Sequence, residues 1–154
     1  MTTFLKTREG VPTPKRAHPT DAGVDLTANA AMIEGELRPA FGKAHIARAG
    51  GTAIFGTGIA VAIPEGHVGL LHVRSSLGIK RHLVLANGTG VIDAPYRGEI
   101  LACLRNEGDF PATINHGERI VQLVIVPCDT TDWQETDDLD TTDRGDGGIG
   151  STGA

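Results

Sequence analysis

The apolar residues of this chain come in short runs: TAIFGTGIAVAI (52–63), HVGLLHV (67–73), LVLAN (83–87), EILACLRN (99–106) and RIVQLVIV (119–126). Each is rich in Ile, Val or Leu and is bounded by Gly, Pro, Asn or Asp. None carries a helical period longer than about two turns. This punctuation excludes long amphipathic helices and predicts strands joined by tight turns. Pro64-Glu65-Gly66 and Asn115-His116-Gly117 are predicted turns. A short helical turn is expected after Ser75-Ser76, with a serine as its cap. Glycine is abundant, at 21 residues, and aromatics make up only 4%, which suits turns and short strands. At 154 residues one domain is expected, an all-β sandwich or barrel.

The two ends read differently. Residues 1–20 are expected to be irregular, because Pro12, Pro14 and Pro19 break regular elements. Residues 128–143 form a polar connector. Seven acidic residues and no basic ones lie between Asp129 and Asp143, so the acidity behind the net charge of -5 is concentrated there. The rest of the chain holds 14 basic and 12 acidic residues, without the dense basic patch that duplex nucleic acid requires. Trp133, alone in the connector, is expected to dock on something, such as a neighbouring subunit. No run of 18 apolar residues exists, so no transmembrane helix is expected. The first residues have no apolar signal-peptide core. Cys103 and Cys128 lie in apolar runs and read as buried free thiols, which points to the cytoplasm. The six histidines show no zinc-ligand spacing and read as surface residues. The chain ends in RGDGGIGSTGA, with five glycines and a single cation, Arg144. Such a tail is either frayed or closes over an anion. Arg-Gly-Asp is also an adhesion tripeptide, a reading that the absence of an export signal disfavours.

Four further segments are richer in polar groups than a plain β domain needs. TDAGVDL (20–26) sets Asp21 and Asp25 about a glycine. VRSSLG (73–78) puts a cation and two hydroxyls after an apolar strand, a cradle for phosphate oxygens. LANGTGVIDAPYRGEI (85–100) has strand, glycine turn and strand, then Asp93, Tyr96 and Arg97 close together. GERIVQL (117–123) holds Gln122 inside an apolar strand. Taken singly, each has a structural explanation as a turn, a packing residue or a solvent-facing side chain.

In this order, the five segments resemble the five motifs of the homotrimeric deoxyuridine triphosphatase (dUTPase) family, over Asp21 to Gly153. The resemblance implies a jelly-roll subunit of residues 1–127, with an arm of residues 128–154 that closes a site on another subunit of a homotrimer. It implies hydrolysis of dUTP to dUMP and pyrophosphate with Mg²⁺, which limits uracil incorporation into DNA and supplies dUMP for thymidylate synthesis. Asp93 would be the general base for water attack on the α-phosphorus. Asp25 would hold Mg²⁺ through water. Arg74, Ser75, Ser76, Gln122, Arg144, Gly145, Ser151 and Thr152 would bind phosphate oxygens. A hairpin around Asn87, Gly90 and Val91 would read uracil, and Tyr96 would pack under the deoxyribose and exclude a 2′-hydroxyl. Ile149 stands where the family usually has an aromatic residue that stacks on the base. That departure implies a loss of about 1–3 kcal/mol in arm closure. The stretch GELRPAFGKAHIARAGG, between Leu26 and Thr57, is expected to contain extra loop residues.

Two other functions use the same fold or pocket. A dCTP deaminase would need a carboxylate beside the pyrimidine amino group. A dUTP-sensing regulatory protein would bind without turnover. Asp93 in its ID-x-x-Y-R-G context and the glycine arm favour the hydrolase.

Overall fold

The computed structural model describes residues 2–39, 41–48 and 50–149. The chain forms β1 (Thr3–Lys6), β2 (Val24–Thr27), β3 (Ala30–Ile33), β4 (Glu36–Pro39), β5 (Lys43–Ile46), β6 (Thr52–Gly56) and β7 (Ile59–Ala62). There follow β8 (His67–Val73), α1 (Ser75–Arg81), β9 (Leu83–Leu85), β10 (Gly90–Ile92), β11 (Leu101–Asn106), β12 (Ala112–Asn115) and β13 (Arg119–Pro127). Every strand pairing is antiparallel. A four-stranded sheet runs β10-β8-β13-β2 and a five-stranded sheet runs β4-β3-β6-β11-β9. Two short pairs, β1-β7 and β12-β5, stand beside them.

The two larger sheets share one core. Leu26, Leu71, Ile92, Val121 and Leu123 come from the first; Ala31, Phe55, Leu83, Leu85, Ala102 and Leu104 come from the second. Strand β11 has the alternation of a half-buried strand: Ala102, Leu104 and Asn106 point inward, and Leu101, Cys103 and Arg105 do not. The buried polar groups are satisfied, as burial requires. Asn29 Nδ2 donates to Thr57 O at 2.7 Å, and Thr57 Oγ1 donates to Ile100 O at 2.8 Å.

The expected all-β class holds, although no closed barrel is present among the described residues. Four expectations change. Residues 1–20 are not wholly irregular, because β1 pairs with β7 ahead of the first proline. The run 52–63 is two strands. At Thr57-Gly58 the chain leaves the five-stranded sheet for the β1 pair, and Gly58 takes a left-handed φ of 72° against Val11. The stretch expected to hold extra loop residues contains two short strands, with β4 on β3 and β5 on β12. Helix α1 has Arg74 at its N-cap and no side-chain cap, so the serines begin the helix without capping it. Both cysteines are free, as expected, but only half-buried. His18, His45, His82 and His116 are exposed, whereas His67 and His72 are half-buried. No described helix is long and apolar enough to cross a membrane.

Candidate active site

Of the expected site residues, Asn87, Gly90, Val91, Asp93 and Tyr96 line one cleft, Asp25, Arg74 and Gln122 line a second with Ser75 and Ser76 beside it, and Arg144, Gly145 and Ile149 lie in the arm. The first cleft, of about 620 Å³, is lined by Asn87, Gly90, Val91, Asp93, Tyr96, Glu99 and Cys103 over an apolar floor that includes Leu71 and Leu85. Its wall differs from the expected hairpin. Strand β9 pairs with β11 and β10 pairs with β8, so residues 86–89 carry the chain from one sheet to the other. Gly88 makes this corner at φ 72°, and its N–H donates to Leu85 O at 2.9 Å. Gly90 is needed for close approach, since a Cβ there would lie 3.0 Å from Leu71 Cβ. The corner leaves Asn87 exposed at the mouth of an apolar pocket, a suitable place to read the polar edge of a flat ring.

Asp93 follows β10 and is exposed, so its carboxylate is open to water. A turn closes behind it, with Tyr96 N–H donating to Asp93 O at 3.0 Å. Arg97 Nη1 holds the turn from outside through the carbonyls of Ala94 and Tyr96. Glu99 is the most constrained carboxylate of this cleft. Burial works against its ionisation. Hydrogen bonds from Arg8, the Gly58 N–H and the Thr7 hydroxyl, together with the attraction of the Arg8 charge, outweigh that and hold its carboxyl below the usual range.

The second cleft, of about 390 Å³, is polar: Lys15, His18, Asp21, Gly23, Asp25, Arg74, Arg119 and Gln122 line it. Asp25 and Gln122 are direct cross-strand partners. Asp25 Oδ2 forms an ion pair with Arg74 Nε at 3.0 Å and accepts a hydrogen bond from Arg119 Nη1 at 3.2 Å. Gly23 has no Cβ for a local reason, because one would lie 2.7 Å from Gln122 Oε1. Asp21 accepts the His18 N–H at 2.8 Å, and that backbone hydrogen bond leads the causes that hold its carboxyl below the usual range. Ser75 and Ser76 are exposed beside Arg74 at the start of α1.

Lys15, His18 and Arg119 were not among the expected site residues. Arg119 and Gln122 are three apart, an odd spacing that puts residues on opposite faces of a regular strand. A bulge between Arg119 and Val121 resets the phase and brings both into one cleft. Nothing in the residue pattern marks that bulge.

Strand register separates the two clefts. Ile92 lies opposite Gly69 on β8, so Asp93 is level with Val68. Arg74 follows Val73 at the other end of β8. Six residues at the rise of a strand set them about 20 Å apart within one chain. The two clefts have no lining residue in common.

The arm is exposed from Asp129 to Ile149, except at Gly147. Trp133 meets solvent on all sides. Arg144 Nε donates to Gly147 O at 3.0 Å in a turn that Gly145 enters at φ 52°. Ser151 and Thr152 lie outside the described residues. Among the described residues no cluster of three or more His, Cys, Asp or Glu side chains could hold a metal by itself.

Comparison with known proteins bears on both clefts and the arm together. A family model described as dUTPase matches residues 9–153. The deoxyuridine 5′-triphosphate nucleotidohydrolase of Corynebacterium glutamicum is 46% identical over 144 residues, covering 93% of this chain and 88% of that protein. The protein of the same name from Corynebacterium efficiens is 43% identical over 151 residues, covering 97% and 76%. Among solved structures, a mutant dUTPase of Staphylococcus bacteriophage 80alpha with dUpNHpp superposes with a TM-score of 0.84 at 28% identity, covering 100% of this chain and 99% of that one. The dUTPase from phage phi11 of S. aureus superposes at 0.75, with 28% identity and 92% and 99% coverage.

Proposed function

The chain belongs to the dUTPase family, and from that premise we propose how its residues share the work of a dUTP diphosphatase. The enzyme hydrolyses dUTP to dUMP and pyrophosphate. In our reading Asn87 and the backbone through Gly90 and Val91 bind uracil, and the Tyr96 ring packs under the deoxyribose. Rejection of UTP is then steric, because the ring leaves no room for a 2′-hydroxyl. Asp93 orients a water and takes its proton as the oxygen attacks the α-phosphorus. Arg74, Ser75, Ser76 and Gln122 hold the phosphate oxygens.

Mg²⁺ fits the donor set of the second cleft. Both arginine contacts of Asp25 fall on Oδ2, so Oδ1 is the oxygen that would accept from a metal-bound water. Mg²⁺ keeps several of its waters and pairs one carboxylate with substrate phosphates. When bound, it would neutralise charge on the phosphate chain. Arg144, with Gly145, Ser151 and Thr152, would close over the terminal phosphates, and Ile149 would cover the base.

The observation that carries the assembly is the separation of about 20 Å between Asp93 and Arg74 along β8. A base must come within hydrogen-bond reach of the water it activates. Asp93 must therefore serve phosphates held by the Arg74 cluster of another copy. A homotrimer of 1–127 bodies, each sending its 128–154 arm to another subunit, meets that need. The enzyme would act in the cytoplasm, limiting uracil entry into DNA and supplying dUMP. Pyrophosphate release from dUTP with Mg²⁺, compared with dTTP, dCTP and UTP, tests the assignment. Release confined to dUTP and lost in Asp93→Asn is expected; full activity in Asp93→Asn would remove Asp93 from its role.

A further inference from the structure

Tyr96 is 43% exposed, so packing alone does not fix its ring. Three local features do. Its N–H donates to Asp93 O, its hydroxyl donates to Glu99 O at 2.9 Å, and its ring lies over Gly98, where any Cβ would overlap it. The hydroxyl bond matters most for orientation, because it holds the far end of the side chain. Its acceptor is a main-chain carbonyl, which is only as steady as Glu99 itself.

Glu99 is held from a distance. Arg8 donates through Nη1 to Oε1 and through Nη2 to Oε2, a planar two-point grip. Thr7 Oγ1 donates to Oε2 at 3.1 Å, and Gly58 N–H donates to Oε1 at 2.7 Å. Both side chains of the Arg8–Glu99 pair are largely withdrawn from solvent, at 20% and 13% exposure. Gly56 makes room, since a Cβ there would lie 2.5 Å from Glu99 Oε1. Thr7 N–H in turn donates to Gly58 O at 2.8 Å, which fastens this segment to the start of β7.

We infer that the Arg8–Glu99 pair is a positioning device for Tyr96 and thereby sets selection against ribonucleotides. The N-terminal segment fixes Glu99, the Glu99 carbonyl fixes the tyrosine hydroxyl, and the ring is held where a 2′-hydroxyl would fall. Steric exclusion is sensitive to shifts of about 0.5 Å. A loosened ring therefore admits UTP more than it harms dUTP. This inference rests on the reading of Tyr96 as the residue under the deoxyribose.

The test uses the full-length enzyme and three variants: Tyr96→Ala, Arg8→Gln and Arg8→Lys. The measured quantity is kcat/KM for dUTP divided by kcat/KM for UTP. Tyr96 is the only tyrosine in the chain, so fluorotyrosine labelling gives one ¹⁹F resonance that reports its ring. In Arg8→Gln the ratio is expected to fall by about tenfold, the scale on which one small group is discriminated in a pocket, with the ¹⁹F signal shifted or broadened. Arg8→Lys keeps the charge but loses the two-point grip, and should fall between Arg8→Gln and wild type. It also carries the test if Arg8→Gln does not fold. If Tyr96→Ala collapses the ratio while the Arg8 variants keep both the wild-type ratio and the ¹⁹F signal, the positioning role is overturned and the role of Tyr96 stands. If Tyr96→Ala itself keeps the wild-type ratio, the reading of Tyr96 fails, and this inference with it.

Discussion

Mixing two inactive proteins gives the sharpest test of a site divided between subunits. Asp93→Asn removes the proposed base from the first cleft; Arg74→Gln removes a proposed phosphate ligand from the second. Each homotrimer should be close to inactive. The register places the two backbone positions about 20 Å apart within a chain, so on the proposed assignment each working site would take Asp93 from one copy and Arg74 from another. In a cyclic trimer every subunit offers one of each at different boundaries. When the two variants are co-expressed in equal amounts and assemble at random, half the copies supply a good Asp93 and half a good Arg74. About a quarter of the sites then combine both, and the mixture should recover about a quarter of wild-type turnover. Pyrophosphate release from dUTP measures this directly, with each homotrimer and an unexchanged mixture as controls. If both clefts of one chain served the same site, no site in any mixed trimer would hold both groups. Recovery at the level of the homotrimer controls, from verified mixed trimers, would refute the divided site.

Three further perturbations follow from single residues. Ile149→Phe should restore stacking on the base and improve kcat/KM for dUTP by roughly fivefold to 150-fold, from about 1–3 kcal/mol of stacking; steady-state kinetics with dUTP checks it. Gly58→Ala forces an alanine to a φ of 72° and drives its Cβ into Val11, so it should cost about 2–4 kcal/mol, seen as a lowered Tm. Glu99 carries a carboxyl whose folded pKa lies below its ordinary 4.5, so its charge adds stability above that value and loses it as pH falls through the folded pKa. The stability gap between wild type and Glu99→Gln should thus be full above about pH 5 and shrink under stronger acid, as denaturant melts across the acid range would show.

The strands that the residue pattern revealed are those whose own side chains carry the signal. Run 67–73 is strand β8 residue for residue, and run 119–126 is β13 without its final Pro127. Both lie within the four-stranded sheet, so continuous apolar runs mark them. Strands β1, β4 and β5 have four residues each, and their side chains are mostly exposed. For β1 and β5 the identity comes from partners far along the chain, Thr3 opposite Ala62 and Lys43 opposite Asn115, whereas β4 folds back on its neighbour β3. A short outer strand is specified by the edge it covers, and that edge is invisible in a local window. The same limit explains the corner at 86–89. Asn-Gly-Thr-Gly has the chemistry of a hairpin turn, yet the flanking strands find better partners in different sheets.

The site was legible as chemistry and illegible as a place. The motifs name the side chains that the proposed reaction would use, and Asp93, Asn87, Tyr96, Asp25, Arg74 and Gln122 among them line the two clefts. What no motif states is which groups meet. Gln122 meets Asp25 because β13 lies in register with β2, and Arg119 joins them only because a bulge shifts that register by one residue. Asp93 fails to meet Arg74 because β10 and β8 run antiparallel, which sends the two ends apart. Each of these facts belongs to strand pairing, a long-range property. With Asp93 as the proposed base and Arg74 as a proposed phosphate ligand, their placement at opposite ends of the β8–β10 pair would act as a safeguard. On the proposed assignment a separated body would bind parts of the substrate without turning it over, and catalysis would begin only when a neighbour completes the site.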